Sequence, residues 1–372
     1  MAVPPPTPEP SRRLRLALIG DAQSPHLLKW ARALAPEVEL WVASSRGFAG
    51  GFDGLVPTWR RLALEVPLDA AGGNWQLVKR LPELGRWLRE VDADWLHAHY
   101  LTSHGTLAWA AKRGWRLRAR IVGSAWGSDI LVTPRRSLVY RWLTQRVLRA
   151  CALTTSDSQH MAGEMAKLGA GEVLVFPFGL ERMPSTAADK EPWLFFANRG
   201  LEPIYRPDRV LQVFRAIAEV QPEAQLVVAN DGSLRRAMEA AVRDQGLDRR
   251  VQFTGRLSAA QQDRWYARAQ WYLSLPASDS VAVSVLEAMA HGCIPILSDL
   301  PANHELVSEA SIGMVLPDGL LADLAALQAL AQQAAQIGRL NRAWVQAHGL
   351  FDPAVAAFLD RLRALTPQSS AS

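Results

Sequence analysis

Two successive series of short apolar segments, each alternating with helix-like segments, constrain the fold of this chain most strongly. The apolar segments show no alternation of polar and apolar residues, which suits strands of a parallel sheet that helices cover on both faces. The predicted strands of the first series are Leu14–Gly20, Val38–Ala43, Leu62–Pro67, Trp95–Tyr100, Arg120–Ser124, Ala152–Ser156 and Val173–Phe178. Those of the second series are Trp193–Ala197, Gln225–Ala229, Val251–Gly255, Trp271–Leu275, Ile294–Ser298 and Gly313–Leu316. The chain is therefore predicted to be an α/β protein.

A polar stretch with two prolines separates the two series of strands. We therefore expect two Rossmann-like, doubly wound domains, with ligands bound in the cleft between the carboxyl ends of their strands. Helix signals support this interpretation, because Pro25–Leu34 has apolar residues at helical spacing and Ser258 with Gln261 fits a capping box. The predicted organisation is a disordered, proline-rich tail at 1–13, a first domain at 14–180, a linker at 181–192 and a second domain at 193–349.

Composition excludes several classes of protein. With 49% hydrophobic and 21% charged residues, the chain is neither disordered nor a coiled coil. No apolar run approaches the ~20 residues of a membrane-spanning helix, and the N-terminus lacks the hydrophobic segment of a signal peptide, so we expect a cytoplasmic protein. The two cysteines, Cys151 and Cys293, lack the spacing of a disulfide framework or a zinc site. The basic residues are spread along the chain, so no nucleic-acid partner is expected.

Several well-known catalytic motifs are missing from the sequence. There is no GxGxxG after the first strand, no GxxxxGKS or GxxxxGKT, no HExxH and no GxSxG. This argues against classical dinucleotide, P-loop, zincin and α/β-hydrolase chemistry. The one DxD motif, Asp92-Ala93-Asp94, precedes a strand and is interpreted as a capping or solvated feature, so we expect neither a metal nor another cofactor.

The first predicted strand ends in a turn of small residues, Gly20-Asp21-Ala22-Gln23-Ser24-Pro25-His26. Free N–H groups at the start of the following helix could meet an anionic group there. An ordinary βα loop explains the same residues equally well. Gly20, Ser24 and His26 are therefore candidates for residues that line the cleft.

The most informative stretch is Leu275–Val307, which reads LPASDSVAVSVLEAMAHGCIPILSDLPANHELV. Asp279 lies in the loop after a predicted strand, and Glu287 follows eight positions later in the first turns of the next helix. A loop of small residues that enters a helix presents unpaired N–H groups and the positive end of the helix dipole to a phosphate. A carboxylate one or two turns into the helix can accept hydrogen bonds from a ribose diol.

This stretch resembles the signature of the retaining family 4 glycosyltransferases. In that signature two acidic residues are separated by seven others, and the second acidic residue is the glutamate of an LEAMA-x-G pattern. Segments similar to other parts of that family follow in the same order, so the resemblance spans about residues 14–308. These segments include WLHAHYLTSHG, AWGSDILVTPRRS, LVFPFGLE, FFANRGLEPIYRPDRVLQVF and FTGRLSAAQQDRWYARAQWYLSLP. The resemblance implies the GT-B architecture, two Rossmann-like domains facing a cleft, with a C-terminal helix at 350–366 that packs back on the first domain.

The resemblance implies a donor site in the second domain. Glu287 would hold the nucleotide ribose, and Asp279 would contact hydroxyl groups of the donor sugar. Arg199 and Arg206 would neutralise the diphosphate leaving group. Residues whose backbone would lie near the sugar, the phosphates or the base are Ser280, Val281, Ala282, Val283, Ser284, Gly255, Arg256 and Leu257.

The resemblance also implies roles for residues of the first domain. His99, at the end of a predicted strand, would face the sugar and would act with Arg199, Asp279 and Glu287 as the catalytic set. His97 is placed on the opposite face of the strand, in a structural role. Trp126 and Asp129 would line the cleft.

The sequence departs from the family pattern at three places. Asp279 stands where Glu is usual, Trp126 stands where His is common, and the usual Arg and Lys five residues apart fall on Gly200 and Tyr205. The neighbouring Arg199 and Arg206 are assigned the work of that pair.

A segment in the first domain combines a basic face with apolar residues. Its arginines are Arg135, Arg136, Arg141, Arg146 and Arg149, and they interleave with Leu138, Val139, Trp142, Leu143, Val147 and Leu148. Such a pattern is typical of contact with anionic lipid, and it is equally typical of a solvated helix face. We therefore expect a cytoplasmic protein that either binds the inner face of a membrane peripherally or leaves this face in water.

Together these features predict a hexosyltransferase-type glycosyltransferase. It would move a sugar from a nucleotide-diphosphate sugar to a glycan, a lipid-linked or a small-molecule acceptor, with retention and without a metal. A role in cell-envelope polysaccharide synthesis would fit such substrates. Two alternatives remain open, namely a non-hydrolysing nucleotide-sugar epimerase on the same fold and a catalytically inactive scaffold member of the family.

Overall fold

The computed structural model describes residues 12–66, 75–185, 189–310 and 313–366, which form two compact units. The first unit comprises the described residues up to Thr155, together with Met165–Leu174 and those from Val355 onward. The second comprises Ser156–Glu164 and Val175–Ala354. This division differs from the sequence-based domain limits, because two segments before residue 180 pack with the second unit. Most of the predicted tail lies outside the described residues.

Thirteen strands are present among the described residues: β1 Arg15–Gly20, β2 Glu39–Ser44, β3 Arg61–Ala63, β4 Trp95–His99, β5 Arg120–Ser124, β6 Leu153–Ser156, β7 Val173–Val175, β8 Glu191–Ala197, β9 Gln225–Ala229, β10 Val251–Gly255, β11 Ala269–Ser274, β12 Ile294–Ser298 and β13 Met314–Leu316. The α-helices of the same residues are α1 Pro25–Leu34, α2 Trp75–Lys79, α3 Leu81–Val91, α4 Thr106–Trp115, α5 Ser128–Leu131, α6 Thr133–Arg136, α7 Leu138–Ala150, α8 Gln159–Lys167, α9 Pro207–Val220, α10 Arg235–Asp244, α11 Ala259–Arg268, α12 Val283–Ala290, α13 Pro301–Ala310, α14 Leu324–Gln332, α15 Ala334–His348 and α16 Phe351–Leu365.

The first unit is built on a seven-stranded sheet in the order β3-β2-β1-β4-β5-β6-β7. Strand β1 pairs in parallel with both β2 and β4. The strand order reverses between β1 and β4, so the loops that follow these two strands open a crevice at their carboxyl ends. Gly20 ends β1 and His99 ends β4, which brings two predicted site residues to that crevice.

The second unit is built on a six-stranded sheet in the order β10-β9-β8-β11-β12-β13. Strand β8 pairs in parallel with both β9 and β11, and the strand order reverses between β8 and β11. Aromatic side chains fill its core, since Phe195, Phe196, Trp271 and Tyr272 are fully buried. The loops after β8 and β11 therefore meet at the carboxyl edge of a rigid sheet, where doubly wound proteins bind ligands.

Helix boundaries follow their sequence signals. Helix α1 spans the predicted Pro25–Leu34, and Ser258 accepts a hydrogen bond from the Gln261 N–H in the predicted capping box of α11. In return the Gln261 side chain accepts from the Ser258 N–H at 2.9 Å. These predictions are confirmed, because the capping chemistry is local and leaves little to the rest of the fold.

Strand ends differ more from the sequence prediction. Strand β4 stops at His99 because Tyr100 adopts a left-handed φ of +61°, after which Tyr100–Gly105 form a π-helical turn. The predicted strand Val173–Phe178 shortens to β7, and the predicted Leu62–Pro67 becomes β3, with Pro67 outside the described residues.

Helix α16 contributes most of its length to the first unit. The ring of Phe358 contacts Trp30 at a centroid distance of 5.2 Å, and the Trp95 indole donates a hydrogen bond to Thr366 Oγ1 at 2.8 Å. Arg120 donates to the carbonyl oxygen of Leu365. Throughout the part of the chain that the structure describes, no helix combines the length and the hydropathy that crossing a membrane requires.

Candidate active site

The crevice of the second unit carries an ion pair that joins the loops after β8 and β11. The Nη2 atom of Arg199 lies 2.5 Å from Oδ2 of Asp279, and its Nη1 donates to Ser284 Oγ at 3.3 Å. The guanidinium also lies over the ring of Tyr205, 4.5 Å from its centroid. The two charged side chains are 18% and 20% exposed, so part of each remains available to a ligand.

In this ion pair, the charge of each side chain shifts the pKa of the other. Burial is the largest influence on the Asp279 carboxyl and raises its pKa, although the charge of Arg199 and the Ser280 N–H oppose that shift. The Asp279 charge in turn raises the pKa of Arg199 above its ordinary value against the effect of burial. Arg199 therefore keeps its positive charge, and that charge favours the ionised form of Asp279.

Glu287 lies in the second turn of α12 and is held by a neighbouring helix. Tyr266 of α11 donates a hydrogen bond from Oη to Glu287 Oε2 at 3.0 Å. The Glu287 side chain is half-buried while Tyr266 is only 1% exposed. The sequence prediction thus placed Asp279 and Glu287 in one stretch, and the structure places both at the same edge of the second sheet.

Arg206 supports the loop after β11. Its left-handed φ of +44° begins α9, and its guanidinium donates to the carbonyl oxygens of Leu275 at 3.0 Å and Pro276 at 3.2 Å. Its Nη1 atom lies 3.1 Å from Asp318. With its donors engaged in this way, Arg206 holds the entry of the acidic loop in place, whereas Arg199 is the cation beside Asp279.

The remaining predicted donor residues lie on two loops of the second unit. Ser280 is buried, donates to the Asp157 carboxylate and lies 2.8 Å from Ser158 Oγ, so its hydroxyl anchors the loop. Val281 and Ala282 lead into α12, which begins at Val283 with no side-chain cap at its N-terminus. Residues Ser280, Val281 and Ala282 therefore connect the ion pair to α12, whose first two residues are Val283 and Ser284.

Strand β10 ends at Gly255, whose φ of +70° lies in the left-handed region that glycine adopts without strain. Its carbonyl oxygen accepts from the Asn230 N–H at 2.7 Å, which ties the ends of β9 and β10 together. Arg256 is exposed and Leu257 is half-buried.

In the first unit, four N–H groups of the turn after β1 already have hydrogen-bond acceptors. The N–H groups of Ala22 and Gln23 donate to Ser44 Oγ and Asp21 Oδ1, both at 3.0 Å, and those of Ser24 and His26 donate to Asp21 O and Ser24 Oγ. The Asp21 carboxylate also pairs with Arg46. The prediction of free N–H donors is therefore wrong for these four groups, because the Asp21 and Ser24 side chains, the Asp21 carbonyl oxygen and Ser44 accept from them.

The candidate cleft residues of this turn have other contacts. Gly20 is packed against α1, since a Cβ there would lie 2.6 Å from Leu27 Cδ1. Ser24 is the N-cap of α1, and the ring of His26 lies 4.8 Å from the Trp126 ring.

His99 lies beneath Trp126 at the end of β4. Trp126 Nε1 donates to His99 Nδ1 at 3.1 Å, and the His99 side chain is 2% exposed. Burial, together with the charges that His97, His104 and His26 would carry, holds the pKa of His99 well below its ordinary value. His99 is therefore neutral, and the half-buried Trp126 covers it.

The prediction that His97 lies on the opposite face of β4 is wrong. Side chains two positions apart in a strand point to the same face, and the His97 and His99 rings lie 4.5 Å apart. Both also pack against the edge or face of Trp30. His97 Nε2 lies 2.8 Å from Ser124 Oγ, and burial lowers the pKa of His97 to about 3.

Asp129 fixes the loop that carries Trp126. Its two carboxylate oxygens accept hydrogen bonds from the N–H of Trp126 at 2.9 Å and of Leu101 at 2.8 Å. Burial raises the pKa of Asp129 to about 6, although these two hydrogen bonds oppose the shift. Asp129 thus joins the loops after β4 and β5, and its own side chain is 1% exposed.

Sequence reasoning missed several residues that shape these two sites. They are Tyr266, Tyr272 and Asn198 in the second unit, and Trp30, Tyr100 and His104 in the first. The sequence carried a signal for Tyr272 alone among these residues. It lies in the apolar strand segment WYLSLP, where a buried hydroxyl requires a hydrogen-bond partner. The partners themselves lie far away in the sequence and no local pattern indicates them.

Comparisons with known proteins cover both units. The chain matches the family model described as "Glycosyl transferases group 1" over residues 180–342, and the one described as "Glycosyl transferase 4-like" over residues 15–158. Two curated relatives, from Xanthomonas campestris and Xanthomonas oryzae pv. oryzae, are each 30% identical over 131 residues. Both are named GDP-mannose:cellobiosyl-diphosphopolyprenol alpha-mannosyltransferase. The alignment spans 33% of this chain and 33% of each relative.

Solved structures resemble nearly the whole chain. HepE from Anabaena, solved with UDP and glucose, has a TM-score of 0.77 at 16% identity, covering 95% of this chain and 100% of its own. Sucrose-phosphate synthase from Thermosynechococcus elongatus has a TM-score of 0.76 at 16% identity, covering 95% and 99%. The predicted α/β fold with two Rossmann-like domains of the GT-B type is confirmed.

Proposed function

The chain belongs to the glycosyl transferases of group 1, and from this premise we propose that it transfers a hexosyl group from a nucleotide-diphosphate sugar to a glycan, lipid-linked or small-molecule acceptor. The transfer proceeds with retention and needs no metal. Its donor site lies at the carboxyl edge of the second sheet, between the loops after β8 and β11.

The observation that carries this proposal is the Arg199–Asp279 pair at the point where the strand order of the second sheet reverses. Departure of a nucleoside diphosphate needs positive charge beside the phosphates, and the sugar needs hydrogen-bond acceptors for its hydroxyl groups. Arg199 supplies the first and Asp279 the second. The two charges are already placed before the donor binds, so little reorganisation accompanies the reaction.

Other residues complete the donor site. Glu287 accepts hydrogen bonds from the ribose hydroxyl groups, and the backbone from Ser280 to Ser284 lies beside the sugar and phosphates. The first N–H groups of α12 add to the positive field, because the first turn of a helix has no intrahelical partners for them. Arg206 contributes by fixing the carbonyl oxygens of Leu275 and Pro276. The loop at 255–257 lies near the base.

The reaction is driven by stabilisation of separated charge. The bond between the anomeric carbon and the diphosphate oxygen breaks, and the sugar passes through an oxocarbenium-like state. The departing phosphate oxygen takes the proton of the acceptor hydroxyl. The acceptor oxygen then bonds to the anomeric carbon on the face that the diphosphate has left. Arg199 and the α12 amides stabilise the diphosphate throughout.

In the first unit, we assign Trp126 rather than the buried His99 to the surface that meets a sugar. His99 accepts the indole hydrogen bond and so fixes the plane of the Trp126 ring, and Asp129 fixes the backbone of the same loop. His99 is thus a positioning residue in this proposal.

The curated relatives support the substrate classes. Their names give a nucleotide-diphosphate sugar as donor and a saccharide on diphosphopolyprenol as acceptor.

An exposed face on α6 and α7 supports peripheral contact with an anionic membrane. Leu138, Val139 and Trp142 are 84%, 69% and 50% exposed. The side chains of Arg135, Arg136, Arg141, Arg146 and Arg149 are exposed around them. Apolar side chains that insert beside arginines are the combination that anionic lipid surfaces bind.

Vesicle binding tests this membrane contact. The full chain should sediment with phosphatidylcholine vesicles that contain phosphatidylglycerol, and the double variant Leu138→Ser, Trp142→Ser should bind them several-fold more weakly. Leu340→Ser, at another exposed leucine, serves as the control. Equal binding by all three proteins, or binding without anionic lipid, would contradict the assignment.

The donor site is tested by calorimetry of the full chain with UDP-, GDP-, ADP- and TDP-sugars. We expect one nucleotide class to bind saturably, and Glu287→Ala to weaken that binding by about 1–3 kcal/mol because charged hydrogen bonds are lost. Glu219→Ala is the control, since Glu219 is exposed on α9 and pairs with the neighbouring Arg215 at 3.1 Å. No binding by the wild type, or equal binding by Glu287→Ala, would overturn the site.

A further inference from the structure

A buried chain of hydrogen bonds leads from the core of the second unit to Glu287. Tyr272 Oη donates to Asn198 Oδ1 at 2.6 Å, and Asn198 Nδ2 donates to Tyr266 Oη at 2.8 Å. Tyr266 Oη then donates to Glu287 Oε2 at 3.0 Å. Each hydroxyl or amide donates toward the next group, and the chain ends on a carboxylate.

The three members of this chain are enclosed. Tyr272, Tyr266 and Asn198 are 0%, 1% and 9% exposed. Their burial raises the pKa values of both Tyr266 and Tyr272 well above the ordinary range of a phenol. Both phenols therefore keep their protons and can donate them, Tyr272 to Asn198 and Tyr266 to Glu287. Hydrogen bonds that point the same way in a low-dielectric core polarise and strengthen one another.

The Tyr266 hydroxyl has a second acceptor nearby besides Glu287. The Ser284 carbonyl oxygen lies 3.2 Å from Tyr266 Oη, in the first turn of α12. A carboxylate is the stronger acceptor, so the shorter contact with Glu287 dominates. Both contacts hold Tyr266 against the same turn of α12, and the half-buried Glu287 side chain is restrained at one oxygen.

A restrained carboxylate matters for selectivity. A free glutamate loses rotamer entropy when it binds a hydroxyl pair, whereas a glutamate that is already held loses less. A site built to accept hydrogen bonds from a hydroxyl also discriminates strongly against the analogue that lacks it, because its buried polar group is then left without a partner.

We propose that the chain Tyr272–Asn198–Tyr266 positions Glu287 to accept both ribose hydroxyl groups, and thereby makes the donor site select ribonucleoside over 2′-deoxyribonucleoside diphosphates. Tyr266 is a positioning residue that does not touch the donor itself. This inference rests on the proposed function, because it takes the ribose as the ligand of Glu287.

Calorimetry with UDP, GDP, dUDP and dGDP tests the inference on the full chain. The wild type should prefer the ribonucleotide of the base that it binds by about tenfold or more. Tyr266→Phe keeps the ring and removes only the hydroxyl, so its preference should fall to about threefold or less, with most of the loss in ribonucleotide affinity. Tyr272→Phe, at the far end of the chain, should shift the preference in the same direction by less.

Tyr140→Phe is the matched control, because Tyr140 lies on α7 in the other unit. If the tyrosines had a purely structural role, the variants would melt at a lower temperature. Their affinities for the ribonucleotide and the 2′-deoxyribonucleotide would then change by the same factor. An unchanged preference in both Tyr266→Phe and Tyr272→Phe overturns the inference.

Glu287→Ala separates this inference from the proposed function. If Glu287→Ala loses the preference while both tyrosine variants keep it, the ribose site stands and the positioning chain is wrong. If Glu287→Ala keeps the wild-type preference for the ribonucleotide, the proposed ribose role itself is wrong.

Discussion

Removal of Arg199 should expose how far Asp279 depends on its partner. In Arg199→Met an uncharged side chain of similar length replaces the guanidinium that lies over the Tyr205 ring, and the Asp279 carboxylate is left without its counter-charge. Breaking a buried ion pair by removing one partner costs about 3–5 kcal/mol. Because the two side chains retain 18% and 20% exposure, we expect a smaller loss, about 2–3 kcal/mol, in the free energy of unfolding at pH 7.

The pH dependence of this loss gives the reasoning a second check. Burial already raises the pKa of Asp279, and loss of Arg199 removes the charge that opposes this rise. The folded variant then binds a proton more readily than the unfolded chain, whose Asp pKa is about 3.9. Its stability should therefore increase as the pH falls from the raised folded pKa toward 4, so the difference from the wild type shrinks at low pH.

Hydrogen exchange of the β8 and β11 amides measures this effect, because it reports the opening free energy of the second unit without assuming a two-state transition of the whole chain. The double variant Arg199→Met, Asp279→Leu removes both charges and should recover at least half of the loss. Arg215→Met, at an exposed arginine, is the control. If the double variant is as unstable as Arg199→Met at pH 7, the loss does not come from an unpaired carboxylate.

Two further stability predictions concern other parts of the fold. Burial raises the pKa of Asp129 to about 6, so its folded form binds a proton more readily than the unfolded chain, and the wild-type stability should fall by about 2–3 kcal/mol as the pH rises from 4 to 6. Asp129→Asn should lack that slope in denaturation at a series of pH values; a slope that persists in the variant would assign it to another group. A Cβ at Gly179 would lie 1.9 Å from the carbonyl oxygen of Gly349, so Gly179→Ala should destabilise by about 3 kcal/mol or more, because backbone cannot move aside cheaply. Gly163→Ala, where nothing lies within 4 Å on the exposed side of α8, should be neutral or stabilising by about 0.5–1 kcal/mol in the same melting experiment; equal losses in the two variants would refute the packing argument.

The sequence predicted the sheets better than it predicted their edges. Parallel strands that are buried on both faces read as largely apolar runs, and for that reason β5, β9 and β12 have the predicted limits. The end of β4 could not be predicted, because the left-handed conformation of Tyr100 leads into a π-helical turn and is not encoded by a glycine.

The candidate site was predicted where its residues are close in sequence. Asp279 and Glu287 lie in one motif, and the structure places them at one edge of the second sheet. The Tyr272–Asn198–Tyr266 chain joins residues that are 74 and 68 positions apart, so no local pattern could reveal it. The turn after β1 failed for a different reason, since Asp21, Ser24 and Ser44 satisfy N–H groups that looked available from the sequence.

Sugar transfer by the full chain tests the central claim most directly. The protein would be incubated with the nucleotide sugar that binds in calorimetry and with one of three acceptor types. These are saccharides on synthetic polyprenyl diphosphate, free oligosaccharides and small-molecule glycosides. The masses of the products would be measured by mass spectrometry. We predict an acceptor that gains the mass of one hexose with release of the nucleoside diphosphate, and loss of this product in Arg199→Ala. Conversion of the donor to an epimeric sugar without any acceptor, or saturable donor binding with no chemistry on any acceptor, would contradict the account.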